Sequence, residues 1–381
     1  MQKKLIKNHF DCSRFVHNLA LETKINAYKS AKINLTAFDL IRQLTDLKQD
    51  CKWLYEVSNK SLQQAIMCLD TAYKNFFKFK KNFPKFKTKQ GKQSFQICAY
   101  VKTNKIDFER KKLTILKIRN IKINIDREFK EKIKAVTISK TPTNKYYASI
   151  LIDTGIKQPK NPKVKKCTTI GIDLGLSHFI ITSEGIKVDN PRYLRQAMGR
   201  LKVLQRRSSK KVKGGQNRKK ANLQVALQHE KITNKRMDFL HKLSTELIRD
   251  NQTICVENLS VSNMVKNHKL AQAITDVSWS KFIELLKYKA NWYGKNLIQI
   301  NKFEPTTKTC NNCGFVNEKL TLKDRNWQCN VCGKKHDRDI NAAINIKVAG
   351  LKLAKSGQGL PVAPVELPTI VGAVKQECNY L

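Results

Sequence analysis

Apolar residues in the first quarter of the chain recur at helical spacing. Leu62, Ile66, Leu69, Tyr73 and Phe76 share one face, and residues from about 10 to 80 read as helices. The stretch 74–92 (KNFFKFKKNFPKFKTKQGK) then interleaves aromatics with lysines, and Pro84 and Gly91 break any helix there. Two readings of it stay open. It is either a track along a phosphate backbone with Phe rings stacked on bases, or a hydrophobic turn with a solvated basic rim. From about 95 to 153 the pattern changes to strands. Residues 114–125 (TILKIRNIKINI) alternate apolar and basic, and 135–139 and 146–152 read as further strands around a turn at 141–145 (TPTNK). A small antiparallel sheet or barrel fits. Two prolines and five lysines in 157–166 (KQPKNPKVKK) mark a linker and a domain boundary.

Beyond the linker, TTIGID (168–173), HFIIT (178–182) and a short segment near Lys187 read as three meandering strands. A long basic helical stretch from about 194 to 250 is broken at Gly214–Gly215. TICVE (253–257) reads as a buried strand and 281–293 as a helix with Phe282, Leu285, Leu286 and Tyr293 on one face. A strand at 297–300 and a terminal helix at 340–353, with apolar face Ile340, Ile344 and Val348, complete the series. From Ser356 the Pro- and Gly-rich tail reads as loose. Three strands, a helix, a strand, a helix and a strand is the order of an RNase H-like domain. In that topology the first and fourth strands lie side by side and parallel.

Composition narrows the partners. Hydrophobic residues make up 41% of 381, enough for two or three globular domains. Lys and Arg number 74 against 30 acidic residues, a net charge of +44, and such a chain repels itself unless a polyanion is present. No apolar run is long enough to span a membrane, and the start (MQKKLIKNHFDC) lacks a signal-peptide core. Nucleic acid is the favoured polyanion. The charge is spread along the chain, so long basic grooves and strongly salt-dependent binding are expected. Seven scattered cysteines (Cys12, Cys51, Cys68, Cys98, Cys167, Cys255, Cys378) read as reduced, buried thiols of a cytoplasmic protein.

The other four cysteines form two close pairs. Cys310 and Cys313 (CNNCG) are followed, after fifteen residues, by Cys329 and Cys332 (CNVCG). This is the spacing of a four-cysteine zinc site, and four thiolates leave no open position, so the metal is structural. Two disulfides or a redox pair are disfavoured by a reducing compartment and by the tandem arrangement. His336 is a candidate outer-shell group.

Three carboxylates carry the candidate chemistry. Asp173 ends one strand and Glu257 another, and the RNase H order puts both at the same sheet edge. Asp339, at the start of the terminal helix in HDRDINAAINI, closes the cluster; it is read as the residue that caps this helix. Asp337 is the alternative third ligand, and Asp189 reads as solvated. Packed like charges are costly unless cations bind them, and Mg2+ prefers carboxylates plus waters. Two such ions can activate a water and stabilise the leaving oxygen of a phosphodiester.

GIDLGLSHFIITSEG, ICVENL and the ribbon leading into HDRDINAAIN resemble the three RuvC segments of TnpB-type proteins, which bacterial insertion sequences encode. CSRFVHNLAL, NFPKFKTKQGKQSFQI, HEKITNKRMDFLHKLSTELIRDN and FEPTTKTCNNCG resemble the family too, so the likeness runs to about residue 354. The family is related to type V CRISPR effectors and was long called transposases. The resemblance implies a Mg2+-dependent, RNA-guided DNA endonuclease. Its partners would be a transposon-derived guide RNA and a double-stranded target with a short adjacent motif, and it would be a monomer with its RNA. It implies Asp173, Glu257 and Asp339 for magnesium, and Cys310, Cys313, Cys329 and Cys332 for zinc.

The expected fold is multidomain α/β plus α. It comprises a helical recognition lobe (1–94), a small wedge-like β-barrel (95–156), a linker (157–166) and an RNase H-like (RuvC) nuclease domain (167–304). A zinc ribbon (305–336), a last RuvC segment with its helix (337–354) and a flexible tail (355–381) follow. Family members begin with a further strand-forming segment ahead of the part matching QKKLIKNHF. An upstream start is the favoured explanation; a genuine start at Met1 would leave the barrel an open edge. A nuclease-inactive nucleic-acid-binding regulator of the same element is the alternative function, and a strand-joining transposase would share the metal chemistry. The complete Asp-Glu-Asp set argues against the regulator.

Overall fold

The computed structural model describes residues 1–98, 104–125, 127–302, 304–321 and 324–356, and the backbone of 375–379. The chain forms two compact units, one of Met1–Ile156 with Ile370–Leu381 and one of Lys157–Thr369. The boundary falls where the Pro- and Lys-rich linker begins.

In the first unit, α1 (Gln2–Ala31), α2 (Ala37–Asp50) and α3 (Asn59–Phe79) precede β1 (Gln93–Cys98), β2 (Lys105–Asp107), β3 (Lys112–Ile115), β4 (Ile118–Lys122), β5 (Lys132–Lys140) and β6 (Tyr146–Asp153). Thr36 caps α2 through a reciprocal bond with Asp39, which satisfies the amides of both residues. The helices and strands are not separate domains as expected, because Ile6 and Phe10 of α1 lie in one core with Phe95, Ile97, Leu113 and Val136. Nor is there a closed barrel among the described residues. β1, β5 and β6 form one sheet, with a strand at Lys375–Asn379 along β6, and β2, β3 and β4 form another. The long alternating stretch 114–125 is a hairpin rather than one strand. Lys117 (φ 71°) and Asn120 (φ 55°) take left-handed conformations that no alternation pattern reveals. Lys375–Asn379 is likewise a strand inside what reads as a loose tail.

The second unit is built on β7 (Thr169–Leu174), β8 (His178–Thr182), β9 (Lys187–Asp189), β10 (Thr253–Val256) and β11 (Asn296–Gln299), in the order β11-β10-β7-β8-β9. β10 runs parallel to both β7 and β11, and β8 and β9 are antiparallel. This is the expected pairing of first and fourth strands. α4 (Tyr193–Ser209) and α5 (Gln216–Asp250) flank the break at Gly214–Gly215. α6 (Val261–Met264) and α7 (His268–Val277) were not anticipated; α8 (Trp279–Tyr293) and α9 (Arg338–Lys355) were, with different ends. Asp276 of α7 caps α4 by accepting the N–H groups of Leu194 and Arg195, and pairs with Arg236 at 2.9 Å. The linker residues are docked, since Asn296 donates to the Pro162 carbonyl at 2.9 Å and Gln158 to that of Asn291 at 3.4 Å.

Strand alternation assigns the two faces of this sheet. Ile170, Ile172, Ile254 and Val256 bury one face against Leu240 and Leu243 of α5 and Phe282 and Leu285 of α8. Cys255 and Ile298 face the other way, onto Ile346 and Ala349 of α9. The buried stripe of α9 is Ala342, Ala343, Ile346, Ala349 and Gly350, not the expected face, and Val348 is exposed. Small residues win because the helix lies so close to the strands. A Cβ on Gly171 would stand 2.1 Å from the Ala343 carbonyl oxygen, and one on Gly350 would stand 2.3 Å from the Cys255 sulfur. Gly171→Ala should therefore cost about 2 kcal/mol or more by forcing α9 off the sheet. Gly199→Ala in α4, where a Cβ meets nothing within 4 Å, should instead stabilise by roughly 0.5–1 kcal/mol. Calorimetry of the two variants checks this; equal melting temperatures would refute the close-packing argument.

Candidate metal centre and carboxylate cluster

The parity that turns Gly171 toward α9 also turns Asp173 that way, and Glu257, two residues after Cys255, follows the same rule. Val256 pairs with Ile172 in parallel register, so Asp173 and Glu257 are neighbours at the carboxyl ends of adjacent strands. On α9, Asp339, Ala343, Ile346 and Gly350 follow a four-three-four spacing, the stripe that faces the sheet. All three carboxylates are partly buried. Burial first, and then the negative charges of Glu257 and Asp339, push Asp173 up to about 7. Arg338 and the Leu174 amide oppose that shift.

The helix cap is not Asp339. Asp337 accepts the N–H groups of Asp339 (3.0 Å) and Ile340 (3.1 Å), and the helix starts at Arg338. Asp337 also meets Lys187 Nζ at 2.6 Å. Burial would raise the Asp337 carboxyl, but Lys187 and the two amides hold it below the usual range. Asp339 is thereby left in the first turn, near enough to act electrostatically on Asp173, and its Oδ2 lies 3.3 Å from Arg325. Asp189 is largely solvated and pairs with His178 at 2.8 Å.

Sequence reasoning missed the residues that hold this arrangement. Thr306 Oγ1 donates to Glu257 Oε1 at 2.7 Å, and Thr306 is only 3% exposed. Asn345 of α9 donates to the carbonyls of Thr306 (2.7 Å) and Thr309 (2.6 Å), and Asn341 donates to Thr309 (2.7 Å) while accepting from the Asn311 amide (2.9 Å). The two asparagines, one turn apart in NAAIN, were the available signal.

That asparagine grip leads directly into the four cysteines. Their sulfurs lie within 4.8 Å of one another, with Cys310–Cys332 at 3.7 Å and Cys313–Cys329 at 3.6 Å. A tetrahedral zinc with Zn–S bonds of about 2.3 Å has S–S edges of about 3.8 Å, so the donor set fits zinc. Each pair sits on a turn closed by a glycine at positive φ, Gly314 (80°) and Gly333 (71°), whose N–H groups donate to the carbonyls of Cys310 and Cys329. β12 (Asn326–Gln328) and β13 (Lys335–Asp337) form a hairpin whose turn carries the second pair. His336 is buried, stacks near Trp327 at 4.6 Å and lies 3.1 Å from the Cys310 sulfur, the position of an outer-shell partner. Of the scattered cysteines, Cys12 and Cys255 are buried as expected, but Cys68 and Cys167 are exposed; Cys378 lies outside the residues whose side chains are described. Among the described residues no helix is long and apolar enough to cross a membrane.

Family models match three stretches: "Probable transposase" over residues 149–268, "Cas12f1-like, TNB domain" over 279–346 and "Helix-turn-helix domain" over 1–32. A Streptomyces pristinaespiralis protein named "Putative RNA-guided DNA endonuclease" is 38% identical over 97% of this chain and 91% of its own. The chain belongs to the TnpB-type family. InsQ of Escherichia coli, which carries the same description, is 27% identical over 93% of this chain and 92% of its own. The Cas12f1 chain from a cryo-EM structure of a Cas12f1–sgRNA–target DNA complex shares the fold, with a TM-score of 0.57 at 15% identity over 91% of this chain and 83% of that one. The fold is thus Cas12f-like multidomain α/β with a cysteine cluster.

Because the ribbon's own core, among the described residues, is Cys310, Trp327 and Cys329 with Phe315 and Leu320, bound metal has to supply much of its folding energy. Elemental analysis of the purified chain should find about one zinc per chain, and Cys310→Ser should bring it well below that while limited proteolysis opens residues 305–336. A zinc-free wild-type protein would contradict the assignment.

Proposed function

We propose that this chain is an RNA-guided, Mg2+-dependent DNA endonuclease of a mobile element, cutting with an RNase H-like (RuvC) domain. The observation that carries the reading is that Asp173 and Glu257 stand at adjacent strand ends with Asp339 near enough to act on Asp173, whose carboxyl burial first, and then those two charges, push up to about 7. Three carboxylates held this way against their mutual repulsion are a donor set for hard divalent cations. Mg2+ bound there would supply Lewis-acid activation of water and charge stabilisation at a phosphodiester. The chain's own groups do the positioning. Asp173 and Glu257 stand on rigid strand ends, Thr306 holds one oxygen of Glu257, and Lys187 keeps Asp337 out of the cluster. A guide RNA, a double-stranded target with an adjacent motif and a monomeric protein–RNA particle are part of this proposal, and the charge of +44 fits a permanently bound RNA.

Asp173→Ala, Glu257→Ala and Asp339→Ala should each lower guided cleavage on the order of a thousandfold or more, with nucleic-acid binding nearly unchanged. Cleavage should track complementarity to the bound RNA; equal cutting of any duplex by RNA-free protein would sink the guided reading. Normal cutting by Asp339→Ala together with loss in Asp337→Ala would move the third role to Asp337.

The raised Asp173 pKa has a consequence for stability. Its ionised form is penalised in the fold, so the penalty is absent below about pH 4 and fully present above about pH 7. Mg2+ should therefore raise the melting temperature by roughly 2–4 °C at pH 8 and by less at pH 6. Asp173→Asn should melt higher than the wild type without Mg2+ at pH 8 and lose the Mg2+ response. A metal-independent melting temperature in the wild type would refute cation binding at this cluster.

Thr306→Val should reduce cleavage roughly 10- to 100-fold by freeing Glu257, whereas Thr306→Ser, which keeps the hydroxyl, should stay near wild type. Equal rates for the two variants would show that Thr306 contributes only packing.

A further inference from the structure

The aromatic–lysine tract left two readings open, and its geometry decides between them. α3 ends at Phe79, with Lys80 in a left-handed conformation (φ 49°), and the chain turns back. The returning loop is anchored on α1, where Asn18 accepts the Lys87 N–H at 2.8 Å and donates to the Lys87 carbonyl at 2.9 Å. Phe83 is held edge-on against Tyr73 and Phe76, each at 5.4 Å, and Phe77 packs on Phe76 at 5.0 Å. A hydrophobic turn would bury such rings. Here Phe77 is 73% exposed, Phe86 53% and Phe83 44%. Phe77 and Phe83 are braced by neighbouring rings, and all three rings stay open to water. The Phe79 face is already shared with the ammonium groups of Lys78 (5.3 Å) and Lys81 (5.9 Å). Residues 74–92 carry eight lysines and no acidic residue. Exposed ring faces inside a purely cationic rim match a partner with flat apolar units on an anionic backbone.

We propose that Phe77, Phe83 and Phe86 form a stacking platform for unpaired bases of the bound RNA. The choice of RNA rests on the function proposed above: the guide is the polyanion present throughout, so it is the partner able to keep these rings covered. Stacking requires a ring face, and phosphate contact requires only charge, so the two contributions separate by mutation.

The test uses the full chain, stripped of nucleic acid at high salt, and a single-stranded RNA oligonucleotide containing 2-aminopurine. Wild-type protein should quench the fluorophore. Phe77→Ala/Phe86→Ala should lose most of that quench and bind on the order of tenfold more weakly or worse, with an unchanged slope of log Kd against log salt. Phe77→Leu/Phe86→Leu should behave like the alanine variant, since leucine keeps apolar area but has no π face. Lys80→Gln/Lys85→Gln should do the reverse, flattening the salt slope and sparing the quench. Unchanged quench and affinity in the alanine variant would overturn the proposal, as would wild-type behaviour of the leucine variant. The same ring dependence for single-stranded DNA, duplex DNA or anionic vesicles would overturn the assignment to RNA. Guided cleavage by the wild type is scored separately, so failure of the platform and failure of the endonuclease reading give different patterns.

Discussion

α9 can reach the sheet only because two positions carry no side chain. At Gly171 the strand backbone meets the backbone of α9 directly, and at Gly350 the helix meets the Cys255 sulfur. Between these contacts the helix buries Ala343 and Ile346 completely and Ala349 nearly so. Close-packed interiors do not absorb an extra methyl group at such distances without moving backbone. The helix is therefore fixed in depth and in rotation. Rotation matters most: a turn of one residue would replace Asp339 at the sheet edge by Arg338 or Ile340 and leave two carboxylates facing a cation or an isoleucine.

The same helix also determines where the ribbon begins. Asn341 and Asn345 hold the carbonyls and amides of the segment from Thr306 to Asn311, so the first cysteine pair inherits its position from α9. Thr306 lies at the junction, tied by its carbonyl to Asn345 and by its hydroxyl to Glu257. The ribbon and the carboxylate cluster are thus braced through one short peptide. A metal bound by the four cysteines would stiffen that peptide and, through Thr306, the orientation of Glu257. A structural metal there would be coupled to the proposed chemistry while standing outside it.

Much of this was legible in the sequence. The parallel pairing of β7 with β10 follows from element order, and the strand-end positions of Asp173 and Glu257 follow from period-two patterning. What stayed hidden had specific physical causes. The apolar face assigned to α9 was its most hydrophobic one, whereas the buried face is its smallest, since depth of approach outweighs hydrophobicity when backbone meets backbone. The cap was placed at Asp339 because both aspartates suit a cap, and only the bonds to the Asp339 and Ile340 amides distinguish Asp337. The hairpin inside 114–125 depended on left-handed Lys117, a conformation that lysine does not advertise. The barrel failed because the hydrogen bonds of β2–β4 close among themselves, and two sheets share one core instead.

The charge distribution links the two halves of the proposed chemistry. A net charge of +44 attracts polyanions strongly over long range. The carboxylate cluster is an exception, since there burial, and after it the charges of Glu257 and Asp339, already push Asp173 up to about 7. A phosphate brought to that cluster without cations would meet the same repulsion. Cations at the cluster would remove the penalty for the phosphate, and the phosphate in turn would supply further oxygen ligands to the cations. Linkage makes this coupling reciprocal: whatever factor the ions add to substrate affinity at the site, the substrate adds to ion affinity. Substrate loading and metal loading then reinforce each other, which disfavours a charged but substrate-free catalytic site. On the proposed function, that coupling, and not selective attraction to DNA, would restrict cutting to strands delivered to the carboxylates.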